Sequence, residues 1–528
     1  MGNFRRMAAA FAVALLAGTA MAAVPVMAQE SVLRFVPSSD LPTLDPSQTT
    51  ARITGYMGHL VFDTLFSMDS KLTPHSQMVD NYTVSEDGLI YRFTLRDGLT
   101  WHDGTPVTSE DCIASLERFF AKDGMGGSLK ANMVSLVAED DKTFVITLSQ
   151  PFGMVLDVLA KVDQPIPFMY PKSLIGDDPN VPFTVPMGSG PYIYNEKESQ
   201  PGIQLVFDKN EAYVPRSEPQ DMLAGGKVAG TDRIVWTFIS DRQTAANALM
   251  AGEVDYVNGP PADMLPILRA DSNLRVDAVD PRGELILLRF NSLNPPFDDE
   301  RARKAFAMVV NQQSYLQAAV GPDEGKECVS IYTCDSPYTT DVGTELIGNG
   351  DIETARKLVA ESGYDGEPIV LLQPTDLPTV NNFALIAAQE LRSIGFTVEL
   401  AAADWASIIQ RRAKKEPQSE GGWNMFITTA TGGLLDTPIS NLPGKTNCEA
   451  AWAGWPCDEE AEAIKAKFAL TSDPAERMKI AEDFQRRVYE VMTFVPGGQY
   501  LLFDAWSNKL DNVVIGATSP LYGVTKAP

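Results

Sequence analysis

Three histidines, five cysteines and a scatter of acids set the chemistry open to this 528-residue chain. His59, His75 and His102 are not spaced as a ligand pair, and no nucleophile elbow, HExxH motif or Ser/His/Asp grouping accompanies them. The paired acids Asp140-Asp141 and Glu459-Glu460 read as solvated loop and helix-start residues rather than as a general acid and base. The pattern argues against catalysis and offers no set for a resident metal or cofactor. Cys328 and Cys334 lie close in sequence, as do Cys448 and Cys457, which predicts two local disulfides in an exported chain. Zinc is the competing reading, against which stands the lack of tight CxxC spacing. Cys112 falls in mid-helix and reads as a small buried hydrophobe.

The remaining polar candidates suit binding rather than turnover, and all sit on loops. They are Ser39, Asp376, Asp404, Trp405, Thr431 and Asp436. A flat amphipathic ring such as Trp405 suits recognition when it stands on a loop; packed beneath that loop, it would be a core tryptophan instead. Asp436, in the stretch TATGGLLDTP, would either hold a cationic group or cap the next turn.

These loops need elements to hold them. Arg5-Arg6, an apolar run to Val24 and the small-residue exit Val26-Met27-Ala28 read as a secretory signal peptide cleaved after Ala28. No later stretch is long and apolar enough to span a bilayer, and the roughly 500 residues that remain exceed one core, so two or three lobes are expected. The formal charge of −26 argues against bulk-charge binding of nucleic acid or anionic lipid. The first mature strand is expected at 32–36, with Ser39 in the loop after it. Further along come a strand at 233–238, a helix at 241–250 stopped near Gly252, and a strand at 254–257. Strands at 369–372 and 396–400 flank a helix over 380–394, a βαβ unit that demands parallel pairing, and a strand at 424–428 joins the same sheet. Asp298 or Asp299 should cap a helix running towards Val320, with Arg301 and Arg303 on a solvated ion-pair face. In such α/β sheets ligands bind beyond the carboxyl ends of the strands. That rule selects the loops 373–378, 402–406 and 429–438, facing the loops after Val36, Phe238 and Val257.

The densest local pattern lies in YRFTLRDGLTWHDGTPVTSEDCIASLERFF, 91–120. It reads as alternating strand, two turns, and a helix opened by Thr108 with an acid three residues on. Taken whole, the string resembles the signature of extracytoplasmic solute-binding protein family 5, the substrate-binding proteins of peptide/nickel ABC transporters. "PTLDP" at 42–46, "GSGPY" at 188–192, "DRQTAANALMAGEVDYV" at 241–257 and "NSLNPPFDDERARKAFAMVVNQQ" at 291–313 are similar to the family in the family's order.

The resemblance implies a two-lobe α/β periplasmic-binding-protein fold (type II, cluster C). Its expected parts are lobe I from 29–59, 186–284 and 493–528, an inserted subdomain at 60–185, and lobe II at 285–492. It implies capture of a peptide or other small polar or cationic solute between the lobes. The partners implied are an inner-membrane ABC permease and its ATPases, with a periplasmic, monomeric protein delivering the solute. Dipeptide-binding relatives hold the peptide amine with an aspartate, which falls on Gly433 here with Asp436 three residues on. They hold the carboxylate with an arginine near 373–377, where this chain has no base and offers Asp376 instead. A polar or cationic ligand, or a peptide held by its backbone, follows from that departure. A secreted hydrolase, or a non-transport receptor or chaperone on the same fold, is the alternative function.

Overall fold

A computed structural model describes residues 30–527, apart from 177, 179, 279, 322, 323, 472 and 517. The expected signal peptide and its cleavage after Ala28 lie outside the described residues.

Val32–Val36 is the middle of a seven-stranded sheet. It runs parallel to Arg233–Thr237 on one side and Tyr256–Asn258 on the other. Antiparallel neighbours extend the sheet to Leu274–Ala278 at one edge and Tyr192–Tyr194 at the other. Alternation of the strand residues puts Leu33 and Phe35 into an aromatic core, where Phe35 packs 5.0 Å from Trp236 and 5.3 Å from Tyr256, ring to ring.

The second sheet has six strands. Ile369–Pro374 and Val398–Ala403 pair in parallel across the helix Pro378–Ser393, and Met425–Thr431 joins Ile369–Pro374 in the same sense. Pro378 opens that helix, where its missing N–H costs nothing. Glu284–Phe290 lies antiparallel between Met425–Thr431 and Phe494–Tyr500. A third, four-stranded sheet is confined to residues between Val79 and Leu148.

The chain passes between the two large sheets twice, from Ala278 to Glu284 and from Tyr500 to Phe503. At the first crossing Gly283 takes φ +63°, and a Cβ there would lie 2.3 Å from the Tyr500 carbonyl oxygen. The two crossings therefore run against each other at a point only glycine can occupy.

Several expectations need correction. The return to the first sheet was expected from 493, but Phe494–Tyr500 belongs to the second sheet and the crossing comes only at 501–502. The apolar residues Tyr500 to Phe503 run from one strand into the next and carry no mark of the change of sheet. The helix expected from 298 towards 320 is two, Glu300–Val309 and Gln312–Val320, because the Asn311 side chain caps the second. Arg301 does pair with Asp299 on the surface, whereas Arg303 is buried, donating to the carbonyls of Phe297 and Val491. In the stretch 60–185, where the sequence points to the helix opened by Thr108, the described residues also form Gly124–Ala131, Val155–Leu159 and Lys172–Ile175; the glycines of the first of these hid it. Both cysteine pairs are bridged, with Cα–Cα separations of 5.8 Å for Cys328–Cys334 and 4.1 Å for Cys448–Cys457; Cys112 is free and buried.

Candidate ligand site between the lobes

A cavity of about 250 Å3 opens where residues 68–72, 125 and 154–163 meet residues 337–338, 433–440, 468 and 477. A smaller one of about 40 Å3 adjoins it, sharing Val162 and Asp163 and reaching Arg52 and Thr431. Residues 50–72, 125 and 154–166 form one wall, and residues of the six-stranded half form the other.

The strand Met425–Thr431 delivers the second wall. Its last residue, Thr431, donates from Oγ1 to Asp163 Oδ1 at 3.1 Å. Gly432 and Gly433 follow, and a Cβ on Gly433 would fall 1.4 Å from Asp163 Oδ2. The two walls meet at a bare backbone because no side chain fits there. Asp436 comes next, ion-paired through Oδ2 with Arg282 of the first crossing, which also engages Asp280 at 3.2 Å. Burial pushes the Asp436 carboxyl up to about 7; Arg282 opposes the rise, and Asp163 and Asp280 add to it. Its second oxygen, Oδ1, is buried and meets no hydrogen-bond donor among the described residues. Arg52 of the first wall reaches Glu284 at 3.5 Å, linking the crossing to the helix Arg52–Val61.

Of the six residues picked from sequence, the structure brings Thr431 and Asp436 to these cavities. Asp376, Asp404 and Trp405 gather at a neighbouring strand end and serve one another. Asp376 Oδ1 accepts the Trp405 N–H at 2.8 Å, and Asp404 caps the helix Trp405–Arg412 by accepting from the Ser407 N–H at 3.0 Å. The Trp405 ring packs, half-buried, against a cluster containing Leu372 and Trp423. Ser39 is exposed in the loop after the first strand. Sequence reasoning passed over Arg282, Asp163, Asp157, Lys161 and Arg477. The charged pair flanking Val162 was the only local signal for any of them, and nothing in the sequence aims that loop at the second wall.

The histidines stand apart from the cavity. His59 is buried without a hydrogen-bond partner among the described residues, His75 meets Asp69, and His102 contacts the Gly190 carbonyl. Among the described residues, no group of three or more His, Cys, Asp or Glu is placed to hold a metal ion. Nor is any described helix long and apolar enough to cross a membrane.

Residues 73–449 match the family model described as bacterial extracellular solute-binding proteins, family 5 Middle. The chain belongs to that family. A probable peptide ABC transporter periplasmic-binding protein of Sinorhizobium fredii is 39% identical to this family 5 protein, over 91% of each chain. The glutathione-binding protein of Salmonella typhi is 27% identical, over 92% of this chain and 91% of its own. Two solved structures share the fold. One is a dipeptide-binding protein from Pseudoalteromonas sp. SM9913 with Met-Leu, at TM-score 0.79 and 20% identity, covering 94% of this chain and 100% of that one. The other is a periplasmic binding protein from A. tumefaciens R10 with agropinic acid, at TM-score 0.77 and 24% identity, covering 92% and 95%. The family 5 protein thus has the two-lobe α/β architecture of periplasmic binding proteins, and it is a solute-binding protein rather than an enzyme.

Proposed function

We propose that this family 5 protein is the substrate-binding component of an ABC importer. It closes its lobes on a peptide, or on another small polar or cationic solute, in the cavity beside Asp436. It then delivers that solute to an inner-membrane permease served by cytoplasmic ATPases. The observation that carries this reading is the Asp436 carboxylate, which lines the cavity with one oxygen occupied by Arg282 and the other without a donor. An acceptor in that state favours a ligand that brings an N–H or ammonium group. A cavity of about 250 Å3 suits a solute of dipeptide size or smaller.

The lobe boundaries follow the sheets: 30–278 and 503–527 for lobe I, with the insertion carried on it, and 284–500 for lobe II. Export through a signal peptide cleaved after Ala28 places the protein in the periplasm, where it acts as a monomer docking one-to-one on the permease. Thr431 and Asp436 contact the solute in this reading. Asp376, Asp404 and Trp405 shape the adjoining strand-end loops, and Ser39 lies on the opposite rim.

Native mass spectrometry of protein purified from the periplasm tests the proposal. An adduct of dipeptide size or below, lost in Asp436→Asn but kept in Asp376→Asn, is expected. An adduct lost in Asp376→Asn and kept in Asp436→Asn would move the site to the Trp405 loop. Chemical turnover of a bound candidate would overturn the transport reading.

A further inference from the structure

The cavity treats its bases and its acids differently. Lys161 gives its ammonium to Asp123 Oδ2 at 3.1 Å and to the carbonyls of Asp163 and Pro165 at 2.5 and 2.9 Å. Arg477 gives its guanidinium to the carbonyls of Thr471 and Gly153 at 2.6 and 2.9 Å, lying over the Phe468 ring. Lys71 stands on the rim, exposed to water. The two deeper bases are thus committed to the protein's own acceptors.

The acids keep acceptor capacity. Asp157, on the short helix Val155–Leu159, lines the same cavity half-buried, and among the described residues the one hydrogen bond its carboxylate takes is from its own backbone N–H. Burial raises its carboxyl, and the nearby Arg477 charge only partly offsets that. Asp163 lends Oδ1 to Thr431, and Asp436 keeps Oδ1 without a donor. Asp157 lies on the first wall and Asp436 on the second, so carboxylates with acceptor capacity to spare stand on both sides of the site. Met125, Met154 and Phe468 make much of the remaining lining apolar, which suits an alkyl stem.

We propose that Asp157 is a specificity-determining residue that receives a second cationic group of the solute, so that the site selects a solute with two such groups over its analogue with one. This rests on the reading of the cavity as the ligand site. A carboxylate partly withdrawn from water and met by no described basic side chain within ion-pair distance loses some of its solvation, and a ligand ammonium that reaches it recovers that loss in a charge-assisted hydrogen bond. Peptides with a basic side chain, and diamines, are the chemical class that fits.

Calorimetry on the mature protein with two matched pairs tests the assignment. Alanyl-lysine against alanyl-norleucine differs by one ammonium on a peptide, and 1,5-diaminopentane against 1-aminopentane differs by one ammonium without a peptide bond. In at least one pair, the member with two ammonium groups is expected to bind roughly ten- to a hundredfold more tightly. In Asp157→Asn that ratio should fall to near one, with thermal melting confirming that the variant is folded. In Asp436→Asn both members of the pair should weaken while the ratio persists. A ratio that survives Asp157→Asn overturns the assignment. So does the absence of discrimination in both pairs, whether their members bind alike or not at all. Discrimination in the amine pair alone would remove the peptide from the proposed function and leave Asp157 in its role.

Discussion

Asp45 and Arg118 form an ion pair at 2.5 Å with almost no exposure on either side chain. Asp45 also caps the short turn after it by accepting the Ser47 N–H, so one carboxylate both shapes the opening loop and anchors it to the signature helix. Removing it strands a buried guanidinium. Asp45→Ala should cost about 3–5 kcal/mol in urea unfolding, and replacing both partners by apolar residues of similar volume should cost less. Asp45 precedes a proline and caps a turn, but its partner lies more than seventy positions away and no local pattern joins them. The same distance hid Arg282 and Asp163, whereas Thr431 and Asp436 were legible because they directly follow a recognisable strand.

Asp436 also brings a pH dependence. Its carboxyl titrates near 7 in the folded protein, so below that pH an incoming ammonium must first displace a proton. Affinity for a cationic solute should fall by up to about tenfold per unit as pH drops below 7. It should level off above 7, and Asp436→Asn should flatten the profile; calorimetry between pH 5 and 8 reads this directly.

At the scale of elements, the helix Pro378–Ser393 docks on Gln312–Val320 through Glu390. Its carboxylate accepts the Asn311 N–H at 2.8 Å and the Tyr315 hydroxyl at 2.5 Å. Burial is the stronger influence and pushes the Glu390 carboxyl up to about 7. The folded state therefore binds this proton more tightly than the unfolded chain does. Glu390 contributes most below about pH 4, and that contribution is lost as pH rises to about 7. Glu390→Gln should gain on the wild type by roughly 1–3 kcal/mol across that window, read from urea midpoints at each pH.

Elements with strong local chemistry were readable. Thr108 and Asp111 do form a reciprocal capping box, and the βαβ unit pairs in parallel as its topology demands. The helix Gly124–Ala131 was not, because three glycines lower its propensity and it depends on the Asp123 carboxylate accepting from Met125 and Gly126. The break at Asn311 was missed for the opposite reason: the apolar residues on both sides suggest continuity, and the cap alone ends it.

At the scale of the molecule, the two halves touch through small groups. Gly433 lies against Asp163, and the Gly153 N–H donates to the Ala469 carbonyl at 3.0 Å while Arg477 returns a bond to the Gly153 carbonyl. Gly433→Val should block this approach without unsettling either core. Small-angle scattering should then show a larger radius that ligand no longer reduces, with the melting temperature little changed and affinity lost. Unchanged affinity would mean that the approach at Gly433 is not needed for capture. Reducing both disulfides should act locally in the second half, each removing about 2–3 kcal/mol.

Every strand of the six-stranded sheet falls between Glu284 and Tyr500, and those two ends pair side by side, where Gly283 abuts the Tyr500 carbonyl. Half of the protein is therefore a continuous cassette plugged into the other half through a single socket. A reporter fused across that socket would register the solute's arrival as a change in signal, which would make the molecule a sensor for its own cargo.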